Sequence, residues 1–157
     1  MDLFDALRNT DLQRVRELLT IDSSLANQPD DRGFTPLVMG TYGGNVDMAN
    51  LLIELGADVN GQDANGNTAL MGVSFKGYHR VAAVLLEQGA DVNMQNKSGA
   101  TALIYAATFG HRTLVDLYLE HGADASIADS TGTAAAEHAR NQGHKALADI
   151  LRGKKTS

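Results

Sequence analysis

Glycine recurs in this chain at a fixed interval, and that interval constrains the fold more than any other feature. Gly33, Gly66, Gly99 and Gly132 stand 33 residues apart. Gly44, Gly77, Gly110 and Gly143 keep the same spacing. A third series opens the phrases Gly56-Ala57-Asp58-Val59-Asn60, Gly89-Ala90-Asp91-Val92-Asn93 and Gly122-Ala123-Asp124-Ala125-Ser126. Three series in register mean that one small structural unit is used again and again, each copy burying its apolar face against the next.

The apolar residues share the period. Val15, Met48, Val81, Leu114 and Leu147 form one column. Leu18, Leu51, Val84, Leu117 and Ile150 form a second, and Leu19, Leu52, Leu85, Tyr118 and Leu151 a third. Within a unit these fall at i, i+3 and i+4, one face of a helix. Gly56, Gly89 and Gly122 then suit the left-handed position that ends such helices. Thr35, Thr68 and Thr101 precede a shorter apolar stretch and suit helix N-caps, with Pro36 at the first helical position. Each unit reads as turn, short helix, glycine turn, longer helix, turn.

The phrases Gly33-Phe34-Thr35-Pro36-Leu37, Gly66-Asn67-Thr68-Ala69-Leu70 and Gly99-Ala100-Thr101-Ala102-Leu103, each followed by a glycine turn and the Gly-Ala-Asp phrase, resemble the ankyrin repeat. Nearly the whole chain takes part. The resemblance implies an all-α solenoid of helix-turn-helix units with short hairpin-like turns. We expect a single domain over 1–157: an N-terminal cap at 1–32, full repeats at 33–65, 66–98 and 99–131, a C-terminal cap at 132–152 and a tail at 153–157. Val38, Met71 and Ile104 replace the histidine that usually follows Thr-Pro-Leu, so these junctions should rely on apolar packing. The wording is similar to that of small stand-alone bacterial ankyrin proteins. Arg16 and Thr20 in the first unit, and Arg152 in the last, stand where inner units carry apolar residues. Polar outer faces suit terminal repeats, and a complete array is the expectation.

Composition limits the function classes. The net charge is −6 and the isoelectric point near 5.2, which disfavours a phosphate backbone as partner. Arg152, Lys154 and Lys155 make the sole basic cluster and suit a solvated terminus. With no cysteine, disulfides and thiolate metal sites are excluded. Acidic Asp2 and Asp5 do not fit a signal peptide, and no apolar run reaches membrane-spanning length. A cytoplasmic protein is expected, with the periplasm open to a chain that has lost a signal. His79, His111, His121, His138 and His144 form no His-x-x-x-His pair. Asp58, Asp91 and Asp124 recur in identical settings, whereas acid-base catalysis needs carboxylates in different ones. We read them as turn caps. Asn60 and Asn93 stand where animal ankyrin proteins can carry hydroxylated asparagine, but they read more simply as ties within the turn. No Walker or dinucleotide motif occurs. No catalytic residue, cofactor or metal is expected, and the chain is read as a non-enzyme.

A partner would use positions that break the period, since packing does not dictate them. Eight aromatic residues occur in all, and Phe34, Tyr42, Phe75 and Phe109 fall at such positions. Exposed together, they would form an interaction surface. Any one ring could instead fold back over a neighbouring unit. Arg32 with Asp31, then Gln62, Asn65 and Asn67, then Gln95 and Lys97, with Lys76 beside Phe75, would supply a polar rim. Tyr118 fills a leucine column, so its hydroxyl needs a partner. The expected function is binding of another protein on the concave face by a monomer. An inhibitor or immunity protein covering a bacterial enzyme or toxin is the sharper version, and a scaffold fits the same residues. An enzyme or small-molecule binder would need a polar pocket that nothing here supplies. Gly40, Gly72 and Glu137, off pattern, favour a natural array over a designed one.

Overall fold

A computed structural model describes residues 2–153. Its helices form antiparallel pairs, one pair per unit: α1 Leu3–Arg8 with α2 Leu12–Ile21, α3 Pro36–Thr41 with α4 Val46–Glu54, α5 Ala69–Lys76 with α6 His79–Glu87, α7 Ala102–Thr108 with α8 Arg112–Glu120, and α9 Ala135–Asn141 with α10 Lys145–Leu151. A 3-10 turn at Ser23–Asn27 follows α2. Among the described residues there is no strand, and a lone antiparallel bridge joins Ala128 to Ala134. This is the all-α solenoid that the period predicts.

Local chemistry starts and stops the helices. The Thr35, Thr68 and Thr101 hydroxyls accept the N–H groups of Val38, Met71 and Ile104 at 3.1, 3.3 and 3.2 Å. Asp2 and Asp5 form a capping box on α1. Gly56, Gly89 and Gly122 have φ of +106°, +95° and +84°. They let Ala57, Ala90 and Ala123 donate back to Leu52, Leu85 and Tyr118 at 2.9 Å, the six-residue closure that ends a helix under a left-handed glycine.

The core is continuous through the stack. Val15, Met48, Val81 and Leu114 are fully buried, as are Leu52, Leu85 and Tyr118. In the second column Leu51 is buried, while Leu18, Val84, Leu117 and Ile150 are half-covered. Met71 and Ile104 are buried, whereas Val38 is only partly so. Small residues line the seams between successive short helices: Ala69, Ala102, Ala106, Ala135 and Ala139 are buried. Gly40 belongs to the same seam, where a Cβ would stand 3.2 Å from Leu7 Cδ2 of α1. The short helices therefore pack more closely than the long ones, which curves the stack with the short helices inside.

Tyr118 finds its partner in Ser74, whose side chain is equally buried. The Ser74 hydroxyl donates to Leu70 O at 2.5 Å, and the Tyr118 hydroxyl stands 2.5 Å from Ser74 Oγ. Serine has one proton to give, so Tyr118 donates to Ser74. At the outer ends Arg16, Thr20 and Arg152 are exposed, and Arg152 pairs with Glu137. Lys154 and Lys155, which complete the basic cluster, lie outside the described residues.

Candidate protein interface

The inner face has two margins, the loop tips before the short helices and the glycine turns after them. Each tip is organised by a residue that the sequence reading passed over. Asp30, Asp63, Asn96 and Asp129 recur with the same period, and the Oδ1 of each accepts the N–H groups two and four residues on. Successive tips also join through the backbone: Ala64 donates to Gly33 O, Lys97 to Asn65 O and Ser130 to Ser98 O, at 3.0, 3.0 and 2.9 Å. The contact is tight, since a Cβ on Gly66, where φ is +78°, would lie 2.9 Å from Lys97 N.

Arg32, Asn65 and Lys97 are exposed on these tips. Gln62 is exposed as well, but its amide donates to Gly66 O at 2.9 Å and to Gln95 O of the next unit at 3.1 Å. Asn67 is half-buried and its Oδ1 accepts the Asn96 amide at 2.8 Å. These two side chains knit units together, and less of each remains for a partner than the rim reading assumed. Phe34 corrects the expectation of an exposed ring: it is half-buried and lines a hollow with Phe4 and Met39. Helix α1, which supplies Phe4 to that hollow, carries no copy of the tip motif, so the hollow was not visible in the period.

The other three rings are exposed where they were expected to be. Tyr42 is 62% exposed, Phe75 50% and Phe109 44%. They stand at the C-terminal ends of α3, α5 and α7. Phe75 and Phe109 meet edge to face, centroids 4.7 Å apart and planes at 70°. Lys76 Nζ lies 4.6 Å from the centre of the Tyr42 ring, a cation on a π face. The row thus runs unbroken from Tyr42 through Lys76 and Phe75 to Phe109. Behind it, a ring from each unit covers the turn glycine of the unit before. Tyr78 lies against Gly44, His111 against Gly77 and His144 against Gly110, so close that a Cβ on Gly77 would sit 2.7 Å from His111.

Asn67 stands just before α5 and Phe75 in its last turn, so tips and row are about 12 Å apart. The polar side chains therefore make the opposite margin of the face and do not ring the aromatics. Lys76 alone of them stands in the row. Between the margins, Tyr105 OH accepts from the Asn96 amide at 2.8 Å and His138 Nε2 is 2.7 Å from Asp129 Oδ2. Hydrogen bonding holds the Asp129 carboxyl far below the usual range. The Thr131 hydroxyl contributes most; burial opposes it, and His138 and the N–H groups of Thr133 and Thr131 add to the lowering.

The loops after the long helices carry a second periodic network. Asn60 Nδ2 donates to Gly89 O at 3.2 Å and Asn60 Oδ1 accepts the Asp91 N–H at 2.7 Å. Asn27 and Asn93 repeat this one unit before and after. The ties reach the next unit, not the same turn. Asp58, Asp91 and Asp124 accept the N–H two residues on at 2.9 Å, as turn caps. The Ser126 hydroxyl and then its N–H hold the Asp124 carboxyl below its ordinary value, against the effect of burial. Among the described residues no three His, Asp or Glu side chains converge on a common point. No helix among them is long and apolar enough to cross a membrane.

Comparison with known proteins agrees with this architecture. A model described as ankyrin repeats (3 copies) matches residues 3–96, and one described as ankyrin repeats (many copies) matches 85–139. Relatives include the human DNA-binding protein RFXANK, 40% identical over 31% of this chain and 18% of its own length. The rat ankyrin repeat and SAM domain-containing protein 6 is 38% identical over 40% of this chain and 7% of its own length. The fruit-fly ankyrin repeat domain-containing protein 49 is 38% identical over 34% and 25%. The matched stretch thus spans a quarter or less of each relative, and these three come from animals. With 3–96 inside one family model and the repeat geometry carried through to α10, the chain belongs to the ankyrin repeat family, whose members are in general protein–protein interaction modules.

Proposed function

We propose that this protein is a non-catalytic module that binds another protein on its concave face through Tyr42, Phe75 and Phe109. The observation that carries this reading is the row itself. Three exposed rings and a lysine stand in a row, Phe75 against Phe109 and Lys76 over Tyr42, at positions where the repeat imposes no residue type. Leaving them in water costs solubility and brings the fold little, whereas rigid rings bury a large area with little entropy lost when a partner covers them. Arg32, Asn65 and Lys97 on the opposite margin supply polar contacts, with the free groups of Gln62 and Asn67 beside them. The periodic carboxylates, by contrast, hold turn N–H groups. RFXANK is named for DNA binding, but a net charge of −6 opposes a phosphate backbone here.

The test is affinity capture from a lysate of the source cell, comparing the parent with the Tyr42→Ala, Phe75→Ala, Phe109→Ala variant after both are shown to be folded at the capture temperature. A protein held by the parent and lost by the variant supports the reading. One held equally by both moves the interface elsewhere.

A further inference from the structure

The charges of this acidic chain are sorted between its two long edges. On the glycine-turn edge, Lys76, Arg80, Arg112, Arg140 and Lys145 face a single acid, Asp47, over the stretches 41–47, 74–80, 107–113 and 140–146. On the loop edge, the stretches 21–32, 54–65, 87–98 and 120–131 hold eleven Asp and Glu against two cations, Arg32 and Lys97. Antiparallel helix pairing puts these stretches at opposite ends of the helices, so the molecule has a cationic edge and an anionic one. Helix stability does not explain the arrangement. A helix N-terminus favours anions and its C-terminus cations. Yet α6, α8 and α10 begin with His79-Arg80, Arg112 and Lys145 and have no acid in the first turn, and α4, α6 and α8 end in glutamate. Among the described residues no carboxylate lies within ion-pair distance of Lys76, Arg80 or Lys145.

The cationic edge and the aromatic row coincide. We propose that the row receives an acidic segment of the partner, an extended stretch in which apolar side chains alternate with pairs of carboxylates. This rests on the interface reading above and names the partner's chemistry. Successive short helices are about 10 Å apart. An extended chain in polyproline II geometry presents the same face every third residue, about 9 Å on. One apolar residue would therefore meet Tyr42 and the next the Phe75–Phe109 pair, whose centroids are 4.7 Å apart, while the carboxylates between and after them face Lys76, Arg80 and Lys145.

The experiment uses the full chain and a labelled peptide of Phe-Glu-Glu triplets, read by fluorescence anisotropy. Phe-Lys-Lys triplets, phosphatidylserine vesicles and a single-stranded oligonucleotide are the other probes. We expect binding of the Glu peptide alone, weakening with salt. Arg80→Glu with Lys145→Glu should reduce it about tenfold while the melting temperature holds or rises, because these changes relieve the helix dipoles. Glu54→Lys with Glu87→Lys on the other edge should leave it unchanged. Binding of the Lys peptide, the vesicles or the oligonucleotide as tight as that of the Glu peptide overturns the proposal, as does loss of binding and of stability together. Concentration-dependent dimerisation abolished by Glu54→Lys would give the row to a second copy and also overturn it. A captured protein that survives the Arg80→Glu, Lys145→Glu pair but is lost with the three rings refutes the acidic segment and spares the interface. If neither variant matters, both readings fail.

Discussion

The loop edge and the glycine-turn edge are built from the same 33-residue unit, yet they follow opposite rules. On the loop edge two periodic sets of polar side chains are committed to the stack. Asn27, Asn60 and Asn93 each use both ends of the amide on the next unit, and Asp58, Asp91 and Asp124 each close their own turn. On the turn edge the glycines and their covering rings are periodic, but the residues just before them are not: Tyr42-Gly43, Phe75-Lys76 and Thr108-Phe109. Regular positions serve the stack. Irregular positions exposed beside them are free to serve something else.

Substitutions can break this contrast, beginning with the largest expected effect. Gly66→Ala meets both a φ of +78° and the Lys97 backbone 2.9 Å from the new Cβ. It should cost about 2 kcal/mol or more in urea denaturation; a loss near zero would mean the tips are not tightly coupled. Asn60→Ala leaves Gly89 O and the Asp91 N–H without their partner and should cost about 1–3 kcal/mol. Asn93→Ala, in the same geometry, should match it. Phe75→Ala gives up an exposed ring and one edge-to-face contact, about 1 kcal/mol, and Tyr42→Ala should cost less, within about 0.5 kcal/mol. If these ring variants destabilise as much as Asn60→Ala, the rings belong to the stack and the contrast fails.

The smallest effect concerns acid. The depressed Asp129 carboxyl contributes stability that is present above its ordinary value of 3.8 and is lost as pH falls below it toward the folded value. Carboxyl chemical shifts followed by NMR should show Asp129 still ionised well below pH 3.8. Asp129→Asn, which mirrors Asn96 in the preceding tip, should abolish that part of the acid sensitivity.

Period and polarity made the scaffold readable. The threonine caps, the closing glycines and the apolar columns depend on interactions within a turn or two, or on repetition itself. What escaped were side chains whose reach is set by direction. A column says that Gln62 and Gln95 are equivalent, but not that Gln62 leans onto Gln95 O. It marks Tyr118 as a misfit without pointing to Ser74, 44 residues earlier. The Asp30, Asp63, Asn96, Asp129 series had the same spacing as the glycines and could have been found. Phe34 could not, because the hollow it lines takes Phe4 from a helix with no matching motif.

The Tyr118–Ser74 contact has an optical consequence. The chain contains no tryptophan, so tyrosine dominates its near-ultraviolet absorption. Burial pushes the Tyr118 hydroxyl up, past the ordinary value of 10.0. It therefore stays a phenol in alkaline solution for as long as α8 remains seated on α5, and the stability it lends is lost as pH climbs beyond 10.0. A late step in phenolate absorbance would time the parting of those two helices, so the protein carries its own reporter at the centre of the stack, with no label attached.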